Sequence, residues 1–216
     1  MMNNIVKRSE TLLSQFRREE GGVAAIEFAF IAPLLVVFML GTTTATQSLW
    51  AHGKVSQTSS VIGDLISQET DLDDQRFQSL MNAAPVLMEP FPLNDLKVIV
   101  TAAIACHQDP ANTEGSTPSM FVVWSRGWTE GGLSGGESAP GDALSNAPTE
   151  LSIEDSDYLI RTSVTYTYEP TITQKADYDI DMEEIAYHQP RDARPVSYPN
   201  QEGDDDTKSC DELMNR

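Results

Sequence analysis

Metal-binding and nucleophilic side chains are sparse in this chain. It has 216 residues but only two cysteines, Cys106 and Cys210, and three histidines, His52, His107 and His188. No two histidines stand at a metal-ligand spacing, and Cys106-His107, adjacent on a strand, would point to opposite faces. Cations are scarce too: 14 Lys and Arg stand against 33 Asp and Glu, a net charge of −19. A chain this acidic is a poor ligand for nucleic acid or for anionic membrane surfaces. The glycine-rich GGLSGG (Gly131 to Gly136) lacks the Gly-Lys-Ser/Thr and the strand-to-helix frame of a phosphate loop. No nucleophile elbow is present, and neither an enzyme activity nor a cofactor is expected.

One long apolar run is present. From Val23 to Leu40 it is interrupted only by Glu27 and Pro33. Helical rise carries these residues about 27 Å, close to the hydrocarbon thickness of a bilayer. Charge is divided around it. Residues 1–22 hold Lys7, Arg8, Arg17 and Arg18 against Glu10, Glu19 and Glu20, leaving 10 basic and 30 acidic residues in 23–216. The positive-inside rule puts the leader in the cytoplasm and the large acidic part outside. The expected organisation is a cytoplasmic leader at 1–22, a transmembrane helix at 23–45 and a periplasmic α+β domain at 46–216. Pro33 cannot bond to the carbonyl of Ala29, so a kink is expected there.

Beyond TTTATQS, where the chain leaves lipid, Val55, Ile62, Leu65 and Ile66 recur at helical spacing with Ser, Gln and Asp between them. They predict an amphipathic extension of the span helix to about Gln68, with a separate surface helix as the other reading. TDLDDQ (Thr70 to Gln75) should cap a helix whose apolar face is Phe77, Leu80, Met81 and Ala84, ended or kinked by Pro85. Leu96 to Cys106 and Ser119 to Trp128 read as strands paired in an antiparallel sheet. Thr129 to Glu150 is dense in Gly, Ser and Pro, lacks apolar periodicity and reads as a mobile loop within the domain. Tyr158 to Pro170 alternates, and Tyr158, Ile160, Thr162, Val164, Tyr166 and Tyr168 form its expected buried face. The tail from Pro190 to Arg216 is polar and should be disordered unless Cys210 ties it down. The fold class that follows is α+β, a long N-terminal helix and then a mainly antiparallel sheet.

The apolar run admits three readings. An ordinary secretory signal would be cut after Ala45, leaving Thr46 first, although the leader is long for one and Glu27 intrudes on its apolar region. A plain single-span anchor would keep its leader, with Glu27 reaching the cytoplasmic interface. A prepilin-type signal would be cut between Gly22 and Val23, making Glu27 the fifth residue of a retained helix. Glycine suits such a cut, because the protease must draw the backbone into an unhindered extended form. A carboxylate at that depth is tolerated when a cation compensates it, and the new amine of a neighbouring subunit would do so, setting register between packed helices.

The residues Gly22, Ala24, Ala25, Glu27, Phe28 and Pro33, following a basic leader, resemble the N-terminal signature of TadE-like minor pseudopilins of the tight-adherence (Tad, Flp-type) pilus. The match spans about twenty residues, with weaker echoes at Val122 to Trp128, at Tyr166 to Pro170 and in Cys210. The resemblance implies a bacterial inner-membrane protein with one span. It further implies processing by a prepilin peptidase, assembly with other pilins and the Tad machinery, and possible incorporation in the extracellular fibre. Longer relatives carry an Asp-x-Ser-x-Ser metal-dependent adhesion site; no such motif occurs here, and that activity does not carry over.

Two further constellations need weighing. In an oxidising compartment Cys106 and Cys210 would form a disulfide closing a loop of about 105 residues. The alternative is one buried thiol and one free tail thiol. DYDIDMEE (Asp177 to Glu184) puts Asp177, Asp179, Asp181 and Glu183 on one face of a strand. Calcium would want such carboxylates, yet an EF-hand's glycine at position six and acid at position twelve are replaced by Met182 and His188. An edge strand with a solvated acidic face is the expected structure.

Overall fold

A computed structural model describes residues 20–106, 118–144, 157–170, 179–191, 196–198 and 210. Three helices precede five strands: α1 (Glu20–Ser67), α2 (Asp74–Met81), α3 (Ala83–Met88), β1 (Lys97–Cys106), β2 (Ser119–Thr129), β3 (Gly132–Gly135), β4 (Tyr158–Tyr168) and β5 (Ile180–His188). The chain divides into two compact units, Met1–Gln47 and Ser48–Arg216. The class is α+β, as the sequence predicts.

The first unit is described through the early part of α1, which continues through Pro33. Thr42, Thr43, Thr44 and Thr46 each donate their hydroxyl to the carbonyl four residues back, at 2.8–3.0 Å. The polar run after the apolar stretch therefore satisfies its own hydroxyls within the helix.

In the second unit the strands form one antiparallel sheet in the order β3-β2-β1-β4-β5. The β1–β2 pairing expected from sequence is present, and β4 closes the other side of β1. The later part of α1 buries Ala51, Val55, Ile62 and Ile66 in the same cluster as Val98, Val100, Ala102, Trp124, Trp128, Ile160 and Val164 from the sheet. Each large side chain so buried contributes roughly 1.5–3 kcal/mol. The buried stripe on α1 is broader than the apolar spacing suggests. Thr58, Ser59 and Ser67 are buried too, and each hydroxyl bonds back to the carbonyl of Lys54, Ser56 or Asp64. Gly63 marks the closest approach: a Cβ there would lie 2.4 Å from His188 Nδ1 and 3.0 Å from Thr162 Oγ1.

Asp73 caps α2 as expected, its carboxylate accepting from the Arg76 amide at 2.6 Å. Phe77, Met81 and Ala84 are buried, but the break comes at Asn82, and Pro85 sits inside α3. Proline is tolerated there because amides in a helix's first turn have no intrahelical partner to lose.

Two other expectations are corrected. The Gly-Ser-Pro segment from Thr129 contains a short strand, β3, paired with the end of β2, and Leu144 donates to Met120 and is buried. β4 buries both faces: Leu159, Arg161 and Ser163, expected outside, are as enclosed as the opposite set. In the tail, Cys210 is tied to Cys106, the condition under which the sequence allows order there, and Val196 and Tyr198 are buried to 1 % exposure. Ser197 pairs with Asp71 as a parallel bridge and trades backbone hydrogen bonds with Thr70 and Leu72 at 2.9 and 2.8 Å. The acidic edge strand does form, as β5, with Asp181 and Glu183 exposed and Met182 buried; Asp177 and Tyr178 lie outside the described residues, as do the leader from 1 to 19 and His107.

Candidate assembly segment

The candidate site begins at the first turns of α1. Gly22, Val23, Glu27, Phe28 and Pro33 all lie on this helix, with Val23 and Glu27 four residues apart and so on one face. Nothing lies within 4 Å of a Cβ built on Gly22. Val23, Ile26, Phe28, Phe30, Leu34, Val37, Phe38 and Met39 are all exposed, Phe30 to 80 %. An exposed apolar patch of this size demands a partner, lipid or protein. Gly22–Ser67 is the one described helix long and apolar enough to cross a membrane. Glu27 makes no ion pair among the described residues. A carboxylate amid so many apolar side chains would be held by a cation or by a water-accessible interface.

The second unit carries what fixes its own tail. Cys106, at the end of β1, is joined to Cys210 by a disulfide, and Ile104 and Cys106 pack with Phe121 and Tyr158 around it. Tyr198 is seated between Phe77 and Trp124, with the Arg126 guanidinium 5.7 Å from its ring centre. Its hydroxyl donates to Asp74 Oδ1, which Arg126 also reaches at 2.7 Å. Burial and then the Asp74 carboxylate push the Tyr198 phenol well above its ordinary value. Trp124 Nε1 donates to the Val196 carbonyl at 2.7 Å. Composition pointed to a polar tail here; the usable signal was the apolar-polar-apolar triplet Val196-Ser197-Tyr198 between two prolines.

The two described histidines, His52 and His188, both join α1 to β5. His52 pairs with Glu184 at 3.1 Å, linking α1 to β5. His188, at the end of β5, lies against Gly63, and burial lowers its pKa, opposed by the nearby Asp64 carboxylate. Asp64 accepts from Arg191 at 3.2 Å, and the Arg191 amide donates to the Ser67 carbonyl. Among the described residues no three of His, Cys, Asp or Glu gather as a metal site.

No curated protein and no solved structure matches this chain. A family model does, over residues 22–61, and its description is TadE-like protein. The matched stretch starts at Gly22, takes in Val23, Glu27, Phe28 and Pro33, and ends in the part of α1 that packs on the sheet. TadE-like proteins are a pilus-associated structural family. Residues 22–61 are thus a TadE-like domain, consistent with a TadE-like protein of the Tad pilus system.

Proposed function

We propose that this chain is a non-enzymatic minor pseudopilin, cut between Gly22 and Val23 by a prepilin peptidase and assembled with other pilins of a Tad pilus. The observation that carries the reading is the start of the family match at Gly22, on a helix whose apolar side chains are bare. In this reading the helix stays in the inner membrane with the leader cytoplasmic and the acidic domain in the periplasm. Gly21 and Gly22 stand in the first turn of α1. Two glycines cost a helix roughly 2 kcal/mol relative to alanine, so this turn opens for a protease more readily than those after it. Cleavage leaves an amine on Val23, and Glu27 of an adjacent subunit pairs with it in the low-dielectric helix bundle. The ion pair forms at one stagger of the two helices and so sets register.

The mature N-terminus tests the proposal directly. Mass spectrometry of protein from cells with an active prepilin peptidase should find Val23 first. An intact leader, or a chain beginning at Thr46, would refute it.

A further inference from the structure

Among the described residues of the second unit, the large apolar side chains left exposed are Leu49, Trp50 and Val86. Single exposed apolar residues are ordinary on a soluble surface, so position has to decide whether these matter. Leu49 and Trp50 are adjacent and open the unit, nine and ten residues after Leu40, where the apolar run of α1 ends. Leu49 is 75 % exposed and Trp50 53 %. Further along α1 the face of Trp50 continues with Gly53, Lys54 and Gln57, so apolar exposure stops within one turn.

Trp50 is held in place although it is exposed. Its ring meets Phe91 edge-on at 5.4 Å, and Phe91 meets Tyr168 in the same manner at 5.8 Å. Phe91 packs half-buried against the main core, in the loop after α3, between the exposed Pro90 and Pro92, and Tyr168 is buried. The indole is thus propped on the sheet domain and keeps an open face. A ring held this way loses little freedom when that face meets a partner. An indole has an apolar body and one polar N–H, the combination that suits a boundary between hydrocarbon and water.

Connectivity restricts what the partner can be. Twenty helical residues cross about 30 Å of hydrocarbon. A span counted from Val23 ends at Thr42, and one counted from Glu27 ends at Thr46. Leu49 and Trp50 follow by between about 4 and 12 Å of helix, and the headgroup layer is about 5–7 Å deep on each side. Helical Cα–Cβ bonds tilt toward the N-terminus, which leans both side chains back toward the span. We infer that Leu49 and Trp50, propped by Phe91, form a docking surface for the headgroup layer of the bilayer that α1 crosses. The contact seats the sheet domain on the membrane and limits how far α1 slides through it. Anionic lipid would repel the exposed Glu89, two residues from Phe91, and the acidic surface beyond it, so the fitting partner is zwitterionic lipid. The inference rests on α1 spanning a bilayer and holds whether or not the leader is cut.

Tryptophan fluorescence tests this directly. Trp124 and Trp128 are 3 % and 4 % exposed, so of the chain's three tryptophans Trp50 is the one open to a quencher. The full chain is reconstituted in phosphatidylcholine vesicles that carry a nitroxide on the headgroup, on an upper acyl carbon or at the acyl end, and floated on a density gradient to verify insertion. Headgroup and upper-acyl nitroxides should quench strongly and the acyl-end label weakly, while iodide on both sides of the membrane quenches little. Trp50→Phe should abolish the nitroxide-sensitive emission. Leu49→Asp, at an exposed position outside the core, should cut headgroup quenching by about half or more, because the layer resists a carboxylate. Equal quenching in that variant would overturn the part given to Leu49. Floated protein whose Trp50 is open to iodide and untouched by lipid nitroxides overturns the inference and leaves the span standing; protein that does not float removes both. Shielding from iodide without lipid quenching, growing with the protein-to-lipid ratio, assigns the surface to a second subunit and overturns it as well.

Discussion

Single residues in this chain are set by what surrounds them, and two make opposite demands on charge. Glu27 stands exposed amid apolar side chains, and in the proposed assembly it is compensated only when a second subunit arrives. Glu27→Ala should therefore leave cleavage after Gly22 largely intact and abolish piliation, read by mass spectrometry of the N-terminus and by counting fibres. Normal piliation in that variant would rule out the register role. His188 carries the reverse constraint. Burial against Gly63 and Thr162 lowers its pKa below the ordinary 6.5, with Asp64 pulling the other way. The unfolded chain therefore takes up this proton first as pH falls, and stability drains away from about pH 7 downward, levelling off below the folded pKa. His188→Gln should flatten that part of the stability-against-pH curve, measured by denaturant unfolding between about pH 7 and 5; an unchanged slope would show that His188 does not titrate there.

Among the elements, the α1–sheet contact shows best which features were readable in advance. Period and composition gave the long helix, the strands at β1, β2 and β4 and the acidic edge strand β5, because each element's apolar spacing reflects the face it buries. Binary patterning failed where polar side chains are buried with local partners. Thr58, Ser59 and Ser67 hide their hydroxyls on their own helix, and the polar face of β4 is enclosed although its residues alternate as if solvated. Candidate-site residues on α1 were legible because their signal is local, a fixed spacing from Gly22 to Pro33. The seat of Tyr198 was not, since only the fold brings that residue against Phe77, Trp124 and Asp74. Gly63 gives this interface a direct test. An added methyl would enter space held by His188, at 2.4 Å from Nδ1. Overpacking of this kind costs roughly 1–3 kcal/mol, against about 1 kcal/mol gained in helix propensity. Gly63→Ala should thus lower the denaturant midpoint modestly, and Gly63→Val clearly more, because its β-branch adds volume and loses propensity. Equal stability of all three proteins would mean that α1 does not bear on β5 at this point.

At the scale of the molecule, the sheet unit of an acidic protein is closed by its own C-terminal chain. Thirty carboxylates beyond residue 22 repel one another and favour expansion, so interactions that hold distant segments together matter more than their number suggests. Two such attachments act on the tail: the Val196-Ser197-Tyr198 strap against Thr70, Leu72, Phe77 and Trp124, and the Cys106–Cys210 disulfide. The strap is enthalpic and local, with aromatic burial and hydrogen bonds to Asp71 and Asp74. Tyr198→Phe keeps the ring and removes one hydrogen bond to a carboxylate that Arg126 still holds, a loss of about 1 kcal/mol by denaturant unfolding. The disulfide works through the unfolded ensemble. With its partners 104 residues apart, its closure restricts the unfolded chain by roughly 4–5 kcal/mol in the loop-entropy account. Replacing both cysteines by serine should therefore cost several times more than Tyr198→Phe. It should also speed hydrogen exchange at the Ser197 amide, which donates to the Thr70 carbonyl. If the strap holds independently, the double serine variant will keep that amide protected while losing global stability, and the two attachments will add; if protection vanishes with the disulfide, the strap is held in place by the crosslink. In either case a double variant as stable as the parent would show that Cys106 and Cys210 are not joined in the mature protein.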